Sequence, residues 1–480
     1  MRAVRLGLAL GLLCLVWPAA GACAREEGLP TAAWVVRTAV TAPEAAARVV
    51  EAAREARLDT LVVQVRGRGD AFYRSDLVPR AEALTVPGAD PAFDPLGRVL
   101  DSAGGMRVLA WMNVFLLWSR DNPPVDPRHA ALQAQWVLRD ADGRPVSDYT
   151  PLERSLGWIE GTYADPDSAE YRSHFAELVR EVATRYPVAG VHLDFVRYPG
   201  PGYGHGGALG ERFRQVWGLD PRWIPEELRS PDLGAWLSGA MPPADRFLAT
   251  AALLWADLRA SRVTALVRAA REGLDRAGPG RELSAAIFPD ADAAYVEKGQ
   301  DWRGWVEQGL VDALYPMAYF GEADRVEAQL RAVARAARSA RRAAPPARPV
   351  LLWAGLGAYR KGPDAVAVEA AAARRLGYDG VCLFDLGSVL EGPGGFEAYA
   401  RAASRFEGLE PEADVLAPFP RGRSRGGRWL AESLERAAGG VLPPGWGVDA
   451  LEDVLEERWE EFEGFRAGEL PRVLAALEEG

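Results

Sequence analysis

The sequence predicts a (β/α)8 barrel with long loops after strands three and four and a C-terminal helical extension. Three observations predict it. Short β-type runs alternate with helix-type segments over residues 31–405. Gly or Pro marks most of the junctions between them. Polar and charged residues gather where the runs end, whereas aliphatic residues fill the rest, which is how a barrel presents functional groups. A doubly wound open sheet also alternates in this way. No strand here, however, is followed by the glycine-rich phosphate fingerprint of that fold.

The runs at 33–38 and 60–66 lead into helical patterns at 43–57 and 91–104. The run at 106–113 is followed by a helix at 167–186, and 188–194 by one at 246–277. Four compact units complete the ring: 282–288 with 301–309, 311–317 with 323–343, 349–355 with 363–377, and 380–385 with 394–405. The loop insertions, 115–165 and 199–245, are too long to be plain connections. Both follow strand C-termini, so both stand over the barrel mouth. They carry Trp118, Trp136, Trp158, Trp217, Trp223 and Trp236. We expect at least one of Trp118, Trp217, Trp223 and Trp236 to line the main cleft, because indole faces offer flat area for sugar rings. Residues 406–480 are Gly/Arg-rich around 421–428, then acidic. Leu451, Val454, Leu455, Trp459 and Phe462 recur there at helical spacing. We expect this stretch to be a helical extension packed on the barrel.

Composition narrows the partners. The net charge of −11 argues against nucleic acid or a bare anionic membrane surface as a partner. Arg2 and Arg5 precede an apolar run, Leu6 to Trp17, and then Ala19, Ala20, Gly21 and Ala22. That layout is a secretory signal over residues 1–22, too short to span a bilayer. Cleavage after Ala22 leaves Cys23 first, as in a bacterial lipoprotein signal, although Ala20 stands where Leu is usual. The expectation is an extracytoplasmic protein, either soluble or held to the membrane by a lipid on Cys23. Its 54 remaining basic and 67 acidic residues give a charge of −13. Cys14 leaves with the signal and Cys382 falls in a core strand, so no disulfide framework is implied.

Side chains alternate along a strand, and this selects the inward groups. In Val191-His192-Leu193-Asp194-Phe195, His192 and Asp194 oppose the apolar face. Arg197 and Tyr198 follow. In the second strand Leu61, Val63 and Val65 face the helices, so Val62, Gln64 and Arg66 point inward, with Arg68, Asp70 and Tyr73 beyond. In the third strand Trp111 and Asn113 point inward. In the fifth, Ser284, Ala286 and Phe288 do, and Asp290 continues that parity past Pro289. The eighth strand ends at Asp385. Arg, Asn, Gln, Trp, Tyr and Asp converging in this way suit a polyhydroxylated ligand. Each of them alone would also serve as a barrel-layer residue.

Several segments together resemble the glycosyl hydrolase-like 10 family, a bacterial group of extracytoplasmic barrels that includes a divisome-associated peptidoglycan glycosidase. They are Val63-Gln64-Val65-Arg66-Gly67-Arg68-Gly69-Asp70-Ala71-Phe72-Tyr73, Ala110-Trp111-Met112-Asn113, and Tyr163-Ala164-Asp165-Pro166 with Tyr171-Arg172. The Asp194 strand, Gly309 to Tyr319 and Gly380 to Asp385 complete the set. The likeness covers roughly residues 32–400. Many members have a second acid directly after the strand-four Asp, where this chain has Phe195.

The resemblance implies glycoside cleavage, which needs two carboxyl groups flanking the scissile bond. Asp194 is the expected nucleophile or base, held ionised by Arg66 and Arg197. Asp290, on the adjacent strand and beside the apolar Phe288, is the preferred proton donor, with Asp385 and Asp70 in reserve. Arg66, Asn113, Tyr315 and Tyr319 are expected to touch substrate. Trp111, Arg197 and Tyr198 join them, and His192 is expected to donate to a sugar hydroxyl. The expected partner is a peptidoglycan glycan or other polysaccharide. No cofactor or metal is expected: the His residues, 129, 174, 192 and 205, lack the spacing of a helical metal site. The alternatives are a non-catalytic glycan-binding or scaffold barrel and, less well supported, a deacetylase on the same fold.

Overall fold

The computed structural model describes residues 30–389 apart from 206, 232–234, 236–239 and 344–349, together with 398 and 399. The signal segment, Cys23 and the 406–480 extension lie outside the described residues, as does most of the helix expected at 394–405.

Eight parallel strands close into a barrel. They are β1 (Thr31–Val35), β2 (Thr60–Arg66), β3 (Arg107–Asn113), β6 (Gly190–Asp194), β7 (Glu282–Ile287), β8 (Ala313–Ala318), β9 (Leu351–Gly357) and β10 (Gly380–Phe384). Each expected run is present, displaced by two residues or fewer at its start. An extra antiparallel ribbon, β4 (Leu116–Trp118) with β5 (Thr162–Tyr163), arises inside the first insertion.

The outer helices bury one stripe each. In Ala323–Ala343, Val326, Leu330, Val333, Ala334, Ala337 and Ala340 are buried, a spacing of three and four that keeps them on one side. Local signals fix the helix starts. Asp94 accepts from Gly97 N, Ser168 accepts from Tyr171 N, and Thr150 forms a reciprocal capping box with Glu153. The barrel interior is filled by Trp34, Val62, Leu109, Trp111, Tyr315, Trp353 and Cys382. Tyr315 stacks on Trp353 with centroids 5.7 Å apart and planes within 3°. The axis is therefore a packed plug, which leaves the C-terminal mouth as the place for a site.

The second insertion folds under the long helix Pro243–Arg276. Leu209, Phe213, Leu219, Ile224, Leu248 and Trp255 form a satellite core, against which Trp223 packs. Among the described residues no helix is long and apolar enough to cross a membrane.

Candidate active site

β6 delivers the central carboxyl. The strand can start only with glycine here, since a Cβ on Gly190 would fall 2.1 Å from the Glu282 carbonyl oxygen of β7. At the other end, Phe195 adopts φ +49°, the left-handed region that costs a non-glycine residue about 1 kcal/mol. That turn aims the Phe195 N–H at Asp194 Oδ1, 2.7 Å away. Burial is the dominant influence on Asp194 and lifts its pKa to about 6. The Phe195 amide, Arg197 and the Trp111 indole N–H oppose that shift, and Glu160 adds to it.

Glu160 was not among the residues expected at the mouth. It precedes β5 and accepts from Arg197 Nη2 at 2.6 Å and from the Tyr163 hydroxyl at 2.5 Å. Its neighbour Gly161 closes the ribbon, where a Cβ would lie 1.9 Å from the Trp118 carbonyl oxygen. Burial alone would raise the Glu160 pKa, but Arg197 and Tyr163 outweigh it and hold the group below its usual value. Arg197 is 7% exposed and lies over the rings of Phe195 and Phe288, at 4.8 and 5.3 Å. Burial works against its charge. The electrostatic pull of Tyr163, Glu160 and Asp194 prevails and raises its pKa.

A second arm runs from β1 to β3. Arg37 Nη1 donates to Gln64 Oε1 at 2.8 Å, and Gln64 Nε2 donates to Asn113 Oδ1 at 3.3 Å. Trp111 Nε1 donates to the same oxygen at 2.9 Å, and Asn113 Nδ2 donates to the Gly67 carbonyl. The opposite wall is aromatic. Tyr319 stacks on Phe384 at 5.3 Å and meets Trp34 and Tyr359 edge-on. The Tyr319 phenol, pushed up chiefly by burial, also feels the charges of Asp194 and Asp385. Asp385 is 7% exposed, just past β10.

The structure thus brings Asp194, Arg197, Trp111, Asn113, Tyr319 and Asp385 to the mouth and adds Glu160. Other expectations are corrected. A bulge between Gln64 and Arg66 pairs Arg66 with Met112, turning Arg66 to the helical layer. There it is fully buried, donates to the Asn113 and Val114 carbonyls and to Tyr171, and lies over Phe175. It does not hold Asp194 ionised.

His192 has inward parity but sits one layer down, with both ring nitrogens occupied. Trp34 Nε1 donates to Nε2 at 3.2 Å, leaving the proton on Nδ1 to donate to Ser284 Oγ at 3.1 Å. Burial lowers its pKa to about 3, so the ring is neutral. Tyr315 meets the His192 ring edge-on at 4.8 Å and stacks on Trp353. Tyr198 is buried beneath Arg259, whose guanidinium lies 4.3 Å from its ring.

Asp290 is exposed and caps helix Ala291–Val296, accepting from Asp292 N and Ala293 N. It is not set against Phe288 as a proton donor. Asp70 is buried, and burial raises its pKa against the pull of Arg37, Arg68 and Arg66. Trp118 is buried against His129, with its indole N–H on the Asn122 carbonyl, and Trp223 belongs to the satellite core. Neither is a sugar platform. Trp236 and the Trp217 side chain lie outside the described residues. No group of His, Cys, Asp and Glu that could hold a metal occurs among the described residues.

A closed parallel barrel with its titratable groups at the C-terminal mouth is the architecture in which barrel enzymes hold their active sites. The chain belongs to the glycosyl hydrolase-like 10 family, whose model matches residues 31–370. Glycosyl hydrolase DigH of Escherichia coli K12 is 26% identical over 312 residues, covering 58% of this chain and 61% of DigH. The chain therefore spans about three-fifths of that relative's length. Glycosyl hydrolase YngK of Bacillus subtilis is 25% identical over 149 residues, 30% of this chain and 26% of YngK. Among solved structures the chain is similar to a β-galactosidase from Halorubrum lacusprofundi (TM-score 0.48, 16% identity, 78% of this chain and 57% of that one).

Proposed function

We propose that this protein hydrolyses glycosidic bonds of a bacterial cell-wall glycan or related polysaccharide, using carboxyl groups at the barrel mouth. One observation carries the reading: a carboxyl with its pKa near 6, Asp194, lies beside a carboxylate held ionised, Glu160. Two carboxyl groups tuned apart are what acid-assisted glycoside cleavage uses. Asp194, with its pKa lifted to about 6, holds a proton far more readily than an ordinary carboxyl and suits the donor to the leaving oxygen, in place of the nucleophile role expected from sequence. Glu160, aligned by Arg197 and Tyr163, suits the base or nucleophile. Asp385, reached through Tyr319, is the alternative partner.

Glu160→Gln should cut turnover by about three orders of magnitude, roughly 4 kcal/mol of transition-state stabilisation. Asp385→Asn distinguishes the partner. If it stops turnover while Glu160→Gln does not, the role moves to β10. Full turnover in both variants on peptide-stripped peptidoglycan and a polysaccharide panel, read by product mass spectrometry, refutes the paired-carboxyl mechanism. The glycan-binding barrel would then be the better reading, and Phe195 beside Asp194 already favours it to that extent.

We also propose export with lipid attachment at Cys23, motivated by the small residues before it. Wild-type protein from a bacterial host should partition into detergent and Cys23→Ser should not. A wild-type protein found in the aqueous phase counts against the anchor and leaves export intact.

A further inference from the structure

We propose that Lys298 is a positioning residue for catalysis: its ammonium fastens the turn after β6 and thereby holds Arg197 against Glu160. The proposal rests on the glycosidase reading above and adds a residue to its machinery.

Of the 56 Lys and Arg residues only two are lysines, 298 and 361. These are the two places where a compact ammonium on a flexible stem stands instead of a planar fork. Neither is a loose surface charge. Lys361 is buried and paired with the buried Glu369 of helix Pro363–Arg375. Lys298, half-buried, follows helix Ala291–Val296 and donates from Nζ to the Pro199 carbonyl at 2.6 Å.

That carbonyl belongs to a row. After Arg197, three consecutive carbonyls each accept from a different cation. Tyr198 O accepts from Arg197 Nη1 at 3.3 Å, Pro199 O from Lys298, and Gly200 O from Arg259 Nη2 at 2.5 Å. Charge-assisted bonds of this kind are roughly twice as strong as neutral ones. Lys298 also grips the turn with its backbone, since its carbonyl accepts the Tyr198 N–H at 2.8 Å. The packing is close: a Cβ on Gly299, at φ +64°, would lie 3.1 Å from Tyr198 Cδ2. Arg259 sits 4.3 Å from the Tyr198 ring and donates to the Val296 and Glu297 carbonyls as well. A compact head suits position 298, because a guanidinium already occupies the seam beside it.

The same residue brings charge towards the candidate carboxylate. Lys298 and Arg197 share the Phe288 ring, at 5.9 and 5.3 Å from its centre. Burial and then Arg197 lower the Lys298 pKa, Glu297 and Glu160 oppose them, and Arg259 adds to the lowering. Lys298 therefore feels both members of the Arg197–Glu160 pair. Arg197 gains a fixed backbone: the two bonds from Lys298 hold the residues that follow it, so that its Nη2 stays 2.6 Å from Glu160.

The test is the pH profile of kcat and kcat/KM for full-length wild type, Lys298→Met and Lys298→Arg on peptide-stripped peptidoglycan. Melting temperature is taken on the same preparations. Lys298→Met should lower kcat by about tenfold or more, because a small misplacement of reacting groups is costly, and leave KM within about twofold. Under the proposed mechanism Glu160 is ionised and Asp194 protonated, and Arg197 lowers the pKa of both. With Arg197 less firmly placed both values rise, so both limbs of the kcat/KM profile should move up by about half a pH unit or more. Lys298→Arg returns the charge in a larger head, and should recover the limbs and part of kcat. If Lys298→Met does not fold, Lys298→Gln, which keeps a donor and loses the charge, should show the same upward shift. A folded charge-free variant whose kcat and limbs match wild type, whatever its melting temperature, overturns the positioning role and spares the glycosidase reading. A fall in kcat with unmoved limbs in every variant makes Lys298 a packing residue and also overturns it. No turnover by the wild type, here or on the polysaccharide panel, overturns both.

Discussion

Replacing Asp194 with Asn should stop turnover and stabilise the protein at the same time. The Asp194 pKa is about 6 in the folded state against an ordinary 3.8. The folded protein therefore binds the proton more tightly than the unfolded chain, and stability falls as pH rises between roughly 4 and 6. Above that window the buried charge costs up to about 3 kcal/mol. Asn keeps the shape and removes that cost. The melting temperature of the variant should thus exceed that of wild type by a few degrees at pH 7, with the gap closing below pH 4. Turnover should fall by about four orders of magnitude, ~5.4 kcal/mol of transition-state stabilisation. Sugars with good leaving groups should restore part of it, because they need less proton donation. A variant that melts earlier and still turns over would make Asp194 a structural anchor and remove the mechanism.

Arg66→Met should do the opposite. Arg66 is fully buried and binds the carbonyls of Asn113 and Val114 and the hydroxyl of Tyr171. Removing it leaves the Asn113 carbonyl without this donor, while the Tyr171 hydroxyl still serves Val114, and the loss of buried hydrogen bonds and packing costs roughly 3 kcal/mol. The melting temperature should drop by many degrees, while KM and turnover per folded molecule change little. If Arg66 touched substrate, KM would rise with the melting temperature intact. The two measurements, taken on one preparation, separate these outcomes.

The contrast between these two residues shows what could be read from the sequence and what could not. Buried parallel strands appear as continuous apolar runs, so all eight were visible, as were the helices with strong starts. Parity placed Trp111, Asn113 and Asp194 where they stand. It failed at Arg66 because one extra residue in β2 reverses the face, and no periodic signal announces a bulge. For His192 and Tyr315 parity gave the right face and the wrong depth: alternation distinguishes inside from outside and says nothing about height along the axis. Pro289 ended the parity that would have carried Asp290 inward, and an aspartate at the first position of a helix is drawn to cap it. Glu160 escaped for another reason. Its ribbon strands are three and two residues long, too short for any period, and its partner Arg197 comes 37 residues later. The one local hint was the glycine after it, next to the Tyr163-Ala164-Asp165-Pro166 segment.

The neutral His192, closed off by Trp34 and Ser284 and set against the Tyr315–Trp353 stack, has a consequence for traffic. A ring with a pKa near 3 and both nitrogens engaged by side chains is a poor proton relay, and aromatic side chains pack the barrel around it. Under the proposed mechanism, Asp194 would therefore recharge from the same side that admits the glycan. Sugar, water and hydrogen ions would then queue at one gate, and a chain lying across that gate would govern how soon the acid beneath it is ready for the next bond.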